Sequence, residues 1–475
     1  MGTEVLKHGV AARLFPVVPE SAKEQRTLSI VLAAMLSVRP FAERLLAPLP
    51  VKMGKRATIN CFTEVTLTNE VKGLRDRPDA LIIVESGKNV WSALVEAKIG
   101  KHVIETEQLD RYVELAKLNG IDAVITVSNV LTPAPDINPT SIGRALPKNL
   151  NLYHFSWASI LTTAFLLASS NEDQYNNDDE AFIISELIRY LEHNSSGLVP
   201  LDQMNKEWPK IVGDVQSSHP LNAKSDDVIE MITTWLQEAR DVALNMTRRL
   251  KEPVSIVASR ANLGNPSGWI DEEAKRFVLD KQLSFELDVP NAASKILVEA
   301  DFLRRAIRVS MKLAAPTDRA SNAARLNWLL KQLTKSNRER VIIRCITRGK
   351  AQNFGAMADE IDPKSEEIRD LSEIVSFQLE MSTDLGAKFN SRKKFIECLE
   401  EIVPDFYDNV GQHLQAFVPP PPRYNKAEDV AAEKGSDSNG VDSGVSGKVE
   451  RAKQLDRPAW AVVWQVPEAV EPKVE

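Results

Sequence analysis

The stretch RPDALIIVESGKNVWSALVEAKIG at residues 77–100 decides the fold of this chain. Two apolar runs at 79–84 and 90–99 have the composition of buried strands, and the segment between them, ESGKN, is rich in turn-forming residues. The sequence therefore predicts an antiparallel β-hairpin whose turn is centred between Gly87 and Lys88.

This predicted hairpin brings two acidic residues together. Positions equidistant from the turn centre pair across an antiparallel hairpin, so Asp79 is expected opposite Glu96. Their β-carbons would lie ~5 Å apart, where two like charges destabilise a sheet unless a cation lies between them. Mg²⁺ suits this position, because one or two carboxylates commonly hold it while several water ligands remain. Since side chains alternate along a strand, Lys98 is expected on the same face as Glu96.

A helix is predicted to follow the hairpin over residues 104–119, ending at Gly120. Gln108 and Tyr112 are four positions apart and therefore share one face of this helix. An amide and a phenol there are suited to hold a phosphate or the lysine in place. A lysine side chain beside a metal held by carboxylates can orient a water molecule or, as the neutral amine, deprotonate it, so the combination indicates hydrolytic chemistry.

The ordered set of these residues resembles the motifs of the PD-(D/E)XK nuclease superfamily, in the branch with a QxxxY motif that includes RecB-like nuclease domains. The resemblance covers residues 20–165, about a third of the chain. It implies a restriction-endonuclease-like fold, a mixed sheet flanked by helices. It rests on three motifs: Pro78-Asp79, Glu96-Ala97-Lys98, and Gln108 with Tyr112.

The resemblance also implies a function. The chain is expected to be a nuclease that hydrolyses phosphodiester bonds of nucleic acid, DNA in the first place, with Mg²⁺ or alternatively Mn²⁺. Family analogy suggests bacterial defence or repair. The implied roles are metal ligation by Asp79, Glu96 and the Ala97 carbonyl, service of the attacking water by Lys98, and support of the substrate by Gln108 and Tyr112.

Members of the superfamily often carry a further acid before the first motif. Glu64 is expected to fill this position as a metal ligand, with Glu43 on the opening helix as the alternative. Ordinary structural roles stay open for the motif residues, because a Glu-x-Lys pair is often a solvated ion pair. Two other functions also stay open: a nucleic-acid-binding module that does not cleave, and an interaction scaffold in which the nuclease-like fold is incidental.

The length of 475 residues predicts more than one domain. We expect an α/β nuclease-like domain at 1–170, a helical connector at 171–278 and an α+β domain at 279–418. Within these, the apolar periodicity predicts a continuous helix at 21–46. The predicted closing helices of the third region lie at 392–402 and 406–417.

Residues 419–475 are predicted to be a Pro-rich and flexible linker with an apolar segment near the end. That segment, AWAVVW, extends from Ala459 to Trp464 and has the composition of a strand. We expect it to dock on a sheet edge of this chain or on a protein partner.

Composition narrows the remaining function classes. The 59 basic and 66 acidic residues give a net charge of −7, so binding of a polyanion requires a local basic patch. The cysteines, three in number, form no C-x-x-C pair, which argues against a thiolate zinc site and favours a reducing cytoplasm. No Gly-Lys pair is followed by Ser or Thr, which excludes a phosphate-binding P-loop. The longest apolar run falls short of the ~20 residues that cross a bilayer, so no membrane span is expected.

Overall fold

The computed structural model describes residues 3–19, 21–69, 77–143, 145–169, 178–349 and 354–419. These residues form two α/β units, one around a mixed six-stranded sheet and one around an antiparallel seven-stranded sheet. The apolar segment predicted at 459–464 lies outside the described residues. No helix in the described part of the chain combines the length and apolar character needed to cross a bilayer.

The first unit has its strands in simple sequential order across the sheet. The first four strands pair antiparallel, and the last two join them in parallel. Its elements are β1 (Leu6–Ala11), α1 (Lys23–Ser37), α2 (Arg39–Leu46), β2 (Thr58–Leu67), β3 (Ala80–Ser86), β4 (Asn89–Ala97), α3 (Thr106–Leu118), β5 (Ala123–Ser128), β6 (Asn151–Ser156), α4 (Trp157–Ser169) and α5 (Asp178–Glu192).

The β3–β4 hairpin has the register that the sequence predicts. Ala80 lies opposite Val95, and the pairing continues without a shift to the turn at Gly87, whose φ of 63° favours glycine. One further position along the same register places Asp79 opposite Glu96.

Alternating side chains of this hairpin bury both faces of the sheet. Ile82 and Val95 pack with α1, α2, α4 and α5 on one face, whereas Leu81 and Leu94 pack with α3 on the other. Glu96 shares the parity of Leu94 and therefore points to the α3 side. A sheet that is buried on both faces leaves only its ends for a functional site.

The structure corrects the predicted continuous helix at 21–46. Helix α1 ends at Ser37 and α2 begins at Arg39, with Val38 extended between them (φ −122°, ψ 92°). Pro40 accounts for the break, because it lacks an amide hydrogen and its ring would clash with the carbonyl four residues earlier. Strand β1, which the sequence analysis did not predict, pairs with β2 at the edge of the sheet.

The second unit has the strand order β12-β11-β13-β10-β9-β8-β7, with neighbours antiparallel throughout. Its elements are α6 (Trp208–Gln216), α7 (Asp226–Leu250), β7 (Ser255–Ile256), α8 (Arg260–Gly264), α9 (Pro266–Asp280), β8 (Gln282–Asp288), β9 (Ile296–Asp301), β10 (Ala306–Ala314), α10 (Asn322–Leu330), α11 (Lys335–Arg338), β11 (Ile342–Thr347), β12 (Phe354–Met357), α12 (Glu366–Asp370), β13 (Ile374–Asp384) and α13 (Arg392–Asn409).

Aromatic side chains fill the space between this sheet and its helices. The ring centroids of Trp208 on α6 and Phe395 on α13 lie 4.3 Å apart, and those of Trp235 on α7 and Phe285 on β8 lie 5.1 Å apart. Instead of the two closing helices predicted at 392–402 and 406–417, a single helix, α13, runs through Pro404 and ends at Asn409. Residues 414–417 are not helical.

Helices of the predicted connector at 171–278 pack on both units. Helix α5 contributes Ile184 and Leu187 to the core of the first unit, whereas α6, α7 and α9 belong to the core of the second. The described residues of the connector therefore form no separate core. Arg248 on α7 donates a hydrogen bond to Thr162 on α4 at 2.7 Å and so links the two units.

Candidate active site

Asp79 and Glu96 meet at the end of the sheet away from the hairpin turn. Asp79 directly precedes β3, and its Oδ2 accepts a hydrogen bond of 2.8 Å from the amide of Ala97 at the end of β4. The hairpin register explains this contact, because the two residues lie on adjacent antiparallel strands. The contact fixes one oxygen of Asp79 next to the second predicted motif.

Glu96 is 2% exposed, and its two carboxylate oxygens differ in their hydrogen bonds. Oε1 accepts hydrogen bonds from the Lys98 ammonium at 2.5 Å and from Gln108 Nε2 at 2.7 Å. Oε2 is buried and has no hydrogen-bond partner. A buried carboxylate oxygen without a partner is costly, so this atom is the strongest indication of a missing ligand.

The surroundings of Asp79 and Lys98 shift the pKa of both side chains. Burial and the nearby Glu96 carboxylate raise the pKa of Asp79 to about 8. Burial lowers the pKa of Lys98, but the charges of Glu96 and Asp79 outweigh this effect and place that pKa above its ordinary value. At neutral pH, Lys98 is therefore an ammonium, and Asp79 ionises fully only when further positive charge arrives.

Gln108 and Tyr112 hold the acidic residues in place from helix α3. Besides its bond to Glu96, Gln108 Nε2 donates to the Tyr112 hydroxyl at 3.2 Å. The Tyr112 hydroxyl in turn donates to the carbonyl of Arg77 at 3.2 Å, two residues before Asp79. Burial, and then the charge of Glu96, raise the pKa of Tyr112, so its phenol keeps its proton. The structure thus gives both residues contacts to the carboxylate framework, whereas the resemblance implied contacts to substrate.

The backbone of Lys98 is fixed on both sides. Its amide donates to the carbonyl of Val127 at the end of β5, and its carbonyl accepts from Nε1 of Trp157 at 2.8 Å. Trp157 begins α4 and is fully buried. The ammonium consequently projects from a rigid segment, and its side chain keeps 18% of its exposure to solvent.

Glu24 is a site residue that the sequence analysis missed. It lies in the first turn of α1, and its Oε1 accepts a hydrogen bond of 3.3 Å from the amide of Ile99. Its charge also contributes to the pKa shifts of Asp79 and Lys98. An acid in the first turn of a helix has an ordinary explanation in the helix dipole, so the sequence carried no distinctive signal for a second role.

Glu64, predicted to accompany the first motif, and its alternative Glu43 lie at opposite ends of the sheet. Glu64 follows Thr63, which pairs with Ala80, and therefore lies on β2 at the same end of the sheet as Asp79. Its φ is 55°, and its exposed carboxylate accepts a hydrogen bond of 2.6 Å from Gln25 on α1. Glu43 pairs with Arg39, which also binds the carbonyl preceding β2 at the hairpin-turn end of the sheet. Of these three acids, Glu24 is the one that accepts a hydrogen bond from the segment directly after Lys98.

Basic residues that could form the local patch needed for a polyanion lie at both ends of the sheet. Lys55 and Arg56 precede β2 at the hairpin-turn end, away from the acids, as does Lys52. Arg77 and Lys101 flank the acids, whereas Arg75 lies outside the described residues.

The donor set fits a hard divalent ion that keeps part of its water shell. Among the described residues, no three His, Cys, Asp or Glu side chains are gathered into a ready-made metal site. Mg²⁺ nevertheless needs only one or two carboxylates when waters and substrate phosphate complete its shell. Asp79 and the unpartnered oxygen of Glu96 meet that requirement. No family model, curated protein or solved structure matches this chain, so the geometry of this site carries the functional argument.

Proposed function

We propose that this chain is a metal-dependent nuclease that hydrolyses phosphodiester bonds in nucleic acid, with DNA as its first substrate. The observation that carries the proposal is Glu96, a buried carboxylate with one oxygen bound by Lys98 and Gln108 and the other oxygen free of hydrogen bonds. The proposal includes a restriction-endonuclease-like fold for the first unit and a setting in bacterial defence or repair.

Asp79 and Glu96, with the Ala97 carbonyl, would hold Mg²⁺ or Mn²⁺. Once bound, the ion would neutralise charge on the phosphate and acidify a water molecule. The raised pKa of Asp79 supports this assignment, because a bound cation would stabilise the ionised form of a buried carboxyl that lies beside a second carboxylate.

Lys98 is proposed to orient the attacking water and to stabilise negative charge at phosphorus. Its pKa lies above the ordinary value, so at neutral pH the side chain donates hydrogen bonds and does not accept a proton. Gln108 and Tyr112 hold Glu96 and the segment before Asp79 in place, and Glu24 fixes the segment after Lys98. These three residues then act by preorganisation, which lowers the cost of reaching the reactive geometry.

Substitution of Lys98 by alanine tests the proposal directly. Plasmid and single-stranded DNA are incubated with Mg²⁺ or Mn²⁺, and the native chain is compared with Lys98→Ala and Lys88→Ala. Lys88 lies in the exposed hairpin turn at the opposite end of the same strands, which makes it a matched control. We expect Lys98→Ala to lower cleavage about 100-fold or more while Lys88→Ala cleaves like the native chain. Cleavage that survives Lys98→Ala would falsify the assignment.

A nucleic-acid-binding module that does not cleave is the second proposal. It is favoured by the absence, within the described ranges, of three acidic or other ligating side chains gathered around one point. Under this alternative, the native chain binds DNA in a filter or anisotropy assay but leaves it intact with every divalent ion. Binding would then be insensitive to EDTA, whereas the nuclease proposal expects cleavage to stop when the metal is removed.

A further inference from the structure

The chain segment that leads from the first unit to the second runs beside the residues that directly follow Lys98. This segment, residues 196–204, which we call the strap, follows α5 and ends just before α6. At its start, the carbonyl of Ser196 accepts a hydrogen bond of 2.7 Å from Oγ1 of Thr27, one turn beyond Glu24 on α1. The strap is therefore attached to the same helix that supplies Glu24.

Gly197 binds the loop that directly follows Lys98. Its carbonyl accepts from the amide of Gly100 at 2.9 Å and from Nδ2 of Asn129 at 3.2 Å. The Asn129 amide group also donates to the carbonyl of Gly100 at 2.9 Å, while its Oδ1 accepts from the amide of Val199 at 3.2 Å. Strap and loop are thus joined through one asparagine side chain and one direct backbone hydrogen bond.

No side chain fits at position 197. Gly197 has a φ of 82°, and a β-carbon there would lie 2.6 Å from Cδ1 and 2.8 Å from Cβ of Ile99. Real β-carbons do not approach other atoms this closely, so one of the two segments would have to move. Ile99 follows Lys98 and donates its amide to Glu24, which means that displacement of Ile99 is passed directly to the lysine.

We propose that Gly197 is a positioning residue for Lys98, acting through Ile99 and Gly100. This inference rests on the proposed nuclease function, in which Lys98 serves the reaction. The close approach that only glycine permits holds the end of β4 between the strap and helix α1. A misplacement of about 1 Å at a catalytic group is enough to lower a rate about 100-fold.

The far end of the strap is fixed to the second unit. Met204 donates its amide to the carbonyl of Arg392 at 3.2 Å, and its own carbonyl accepts from Nε of Arg392 at 2.7 Å. Arg392 begins α13, which packs against the seven-stranded sheet. The same strap consequently connects the position of Lys98 with the second unit.

The test compares Gly197→Ala with Gly87→Ala in the full chain. Gly87 also has a positive φ, 63°, but a β-carbon there would meet no atom within 4 Å, so this control carries the backbone strain without the clash. With plasmid DNA and Mg²⁺ we expect Gly197→Ala to lower kcat by about 10- to 100-fold with KM nearly unchanged, and Gly87→Ala to retain native kinetics.

A double variant tests the path of the effect. Gly197→Ala combined with Ile99→Gly removes the whole side chain that the new β-carbon would meet, including its Cβ, and we expect it to recover most of the lost kcat. A merely structural role of Gly197 predicts no such recovery. Should Gly197→Ala fail to fold, Asn129→Ala removes the side-chain links between strap and loop and is expected to show the same loss of kcat.

Hydrogen exchange supplies a readout that does not require cleavage. In Gly197→Ala we expect faster exchange of the Gly100 amide, and in Gly87→Ala native exchange at that position. Native cleavage by Gly197→Ala, no recovery in the double variant, or unchanged exchange at Gly100 would each overturn the inference. A native chain that fails to cleave DNA refutes the proposed nuclease function instead, while the exchange experiment still decides the role of Gly197.

Discussion

At the scale of single residues, the site is defined by two carboxylates with different surroundings. Asp79 has one oxygen bound by a backbone amide, and Glu96 has one oxygen bound by Lys98 and Gln108. Their proximity is unfavourable without a cation, because burial strengthens repulsion between like charges. This repulsion lowers the stability of the first unit in the absence of a cation, as is common where a binding site is built into a fold.

Removal of the Asp79 charge is expected to stabilise the metal-free protein. The folded-state pKa of about 8 lies above the unfolded value near 4, so the native chain binds this proton more tightly when folded. Its contribution to stability is complete below about pH 4 and is lost as the pH rises through 8. Asp79→Asn should therefore be more stable than the native chain at pH 8, by about 1–3 kcal/mol.

Urea unfolding between pH 5 and pH 9 in EDTA measures this difference in the free energy of unfolding. Glu85→Gln, on the same strand near the turn, serves as the control and should follow the native pH dependence. A difference between Asp79→Asn and the native chain that does not grow with pH would contradict the raised pKa.

Tyr112 offers a distinction between positioning and substrate contact. Tyr112→Phe removes the hydrogen bond to the Arg77 carbonyl and the acceptor of Gln108. We expect a loss of about 0.5–1.5 kcal/mol in the free energy of unfolding and a lower kcat with an unchanged KM for DNA. If the phenol contacts substrate, as the resemblance implies, KM rises instead, and steady-state kinetics separate the two outcomes.

At the scale of elements, helix α7 combines an apolar face with buried acids. Glu238 is fully buried, and neither of its carboxylate oxygens has a hydrogen-bond partner. Burial, followed by the charges of Asp241 and Glu400, raises its pKa well above the ordinary value. Other side chains of α7, including Trp235 and Val242, belong to the apolar core of the second unit, which offsets the cost of this acid.

Glu238→Met is expected to stabilise the protein by about 1–3 kcal/mol at pH 8, because it replaces an unpartnered buried carboxyl by an apolar side chain of similar length. The raised pKa means that the native chain loses stability as pH rises, so the gain should be larger at pH 8 than at pH 5. Thermal unfolding at both pH values measures it, with Glu230→Met on the exposed face of α7 as the control. A destabilised Glu238→Met would indicate that a bound group occupies this position.

At the scale of the whole molecule, two α/β units are joined by the strap and by the contact between α4 and α7. Arg248 on α7 binds Thr162 on α4. Burial lowers the pKa of its guanidinium, and the charges of nearby Asp241 and Glu400 oppose this effect only in part. The neighbouring Arg249 instead pairs with Asp408 on the surface. Arg248 therefore connects the two units, whereas Arg249 forms its ion pair within the second unit.

We expect Arg248→Met to lower the free energy of unfolding by about 1.5–3 kcal/mol, because it removes a charged hydrogen bond at a buried boundary. Arg249→Met should cost less than about 1 kcal/mol, as exposed ion pairs usually do. Urea unfolding gives both values, and hydrogen exchange in α4 should increase in Arg248→Met alone. Equal losses in the free energy of unfolding for the two variants would show that the hydrogen bond between Arg248 and Thr162 does not stabilise the contact between the two units.

The β3–β4 hairpin shows how far local sequence information reached. Its register, its turn at Gly87 and the proximity of Asp79 to Glu96 were predicted, because pairing across a hairpin depends on the turn alone. The break at Val38 was not predicted, because the apolar periodicity continues through it although Pro40 interrupts the helix there. Glu24 and Gly197 were missed since each contacts the site from a distant part of the chain.

The sequence by itself determined the alternation of buried residues on β3 and β4, the face that Glu96 and Lys98 share, and the helical spacing of Gln108 and Tyr112. These are properties of one hairpin and one helix, whose periods are set by backbone geometry. The tertiary structure alone decided which oxygen of Glu96 stays without a partner, which acid from α1 reaches the end of β4, and how closely the strap approaches Ile99. Such contacts join segments up to about a hundred residues apart, and their distances follow from the packing of whole layers, which no local pattern records.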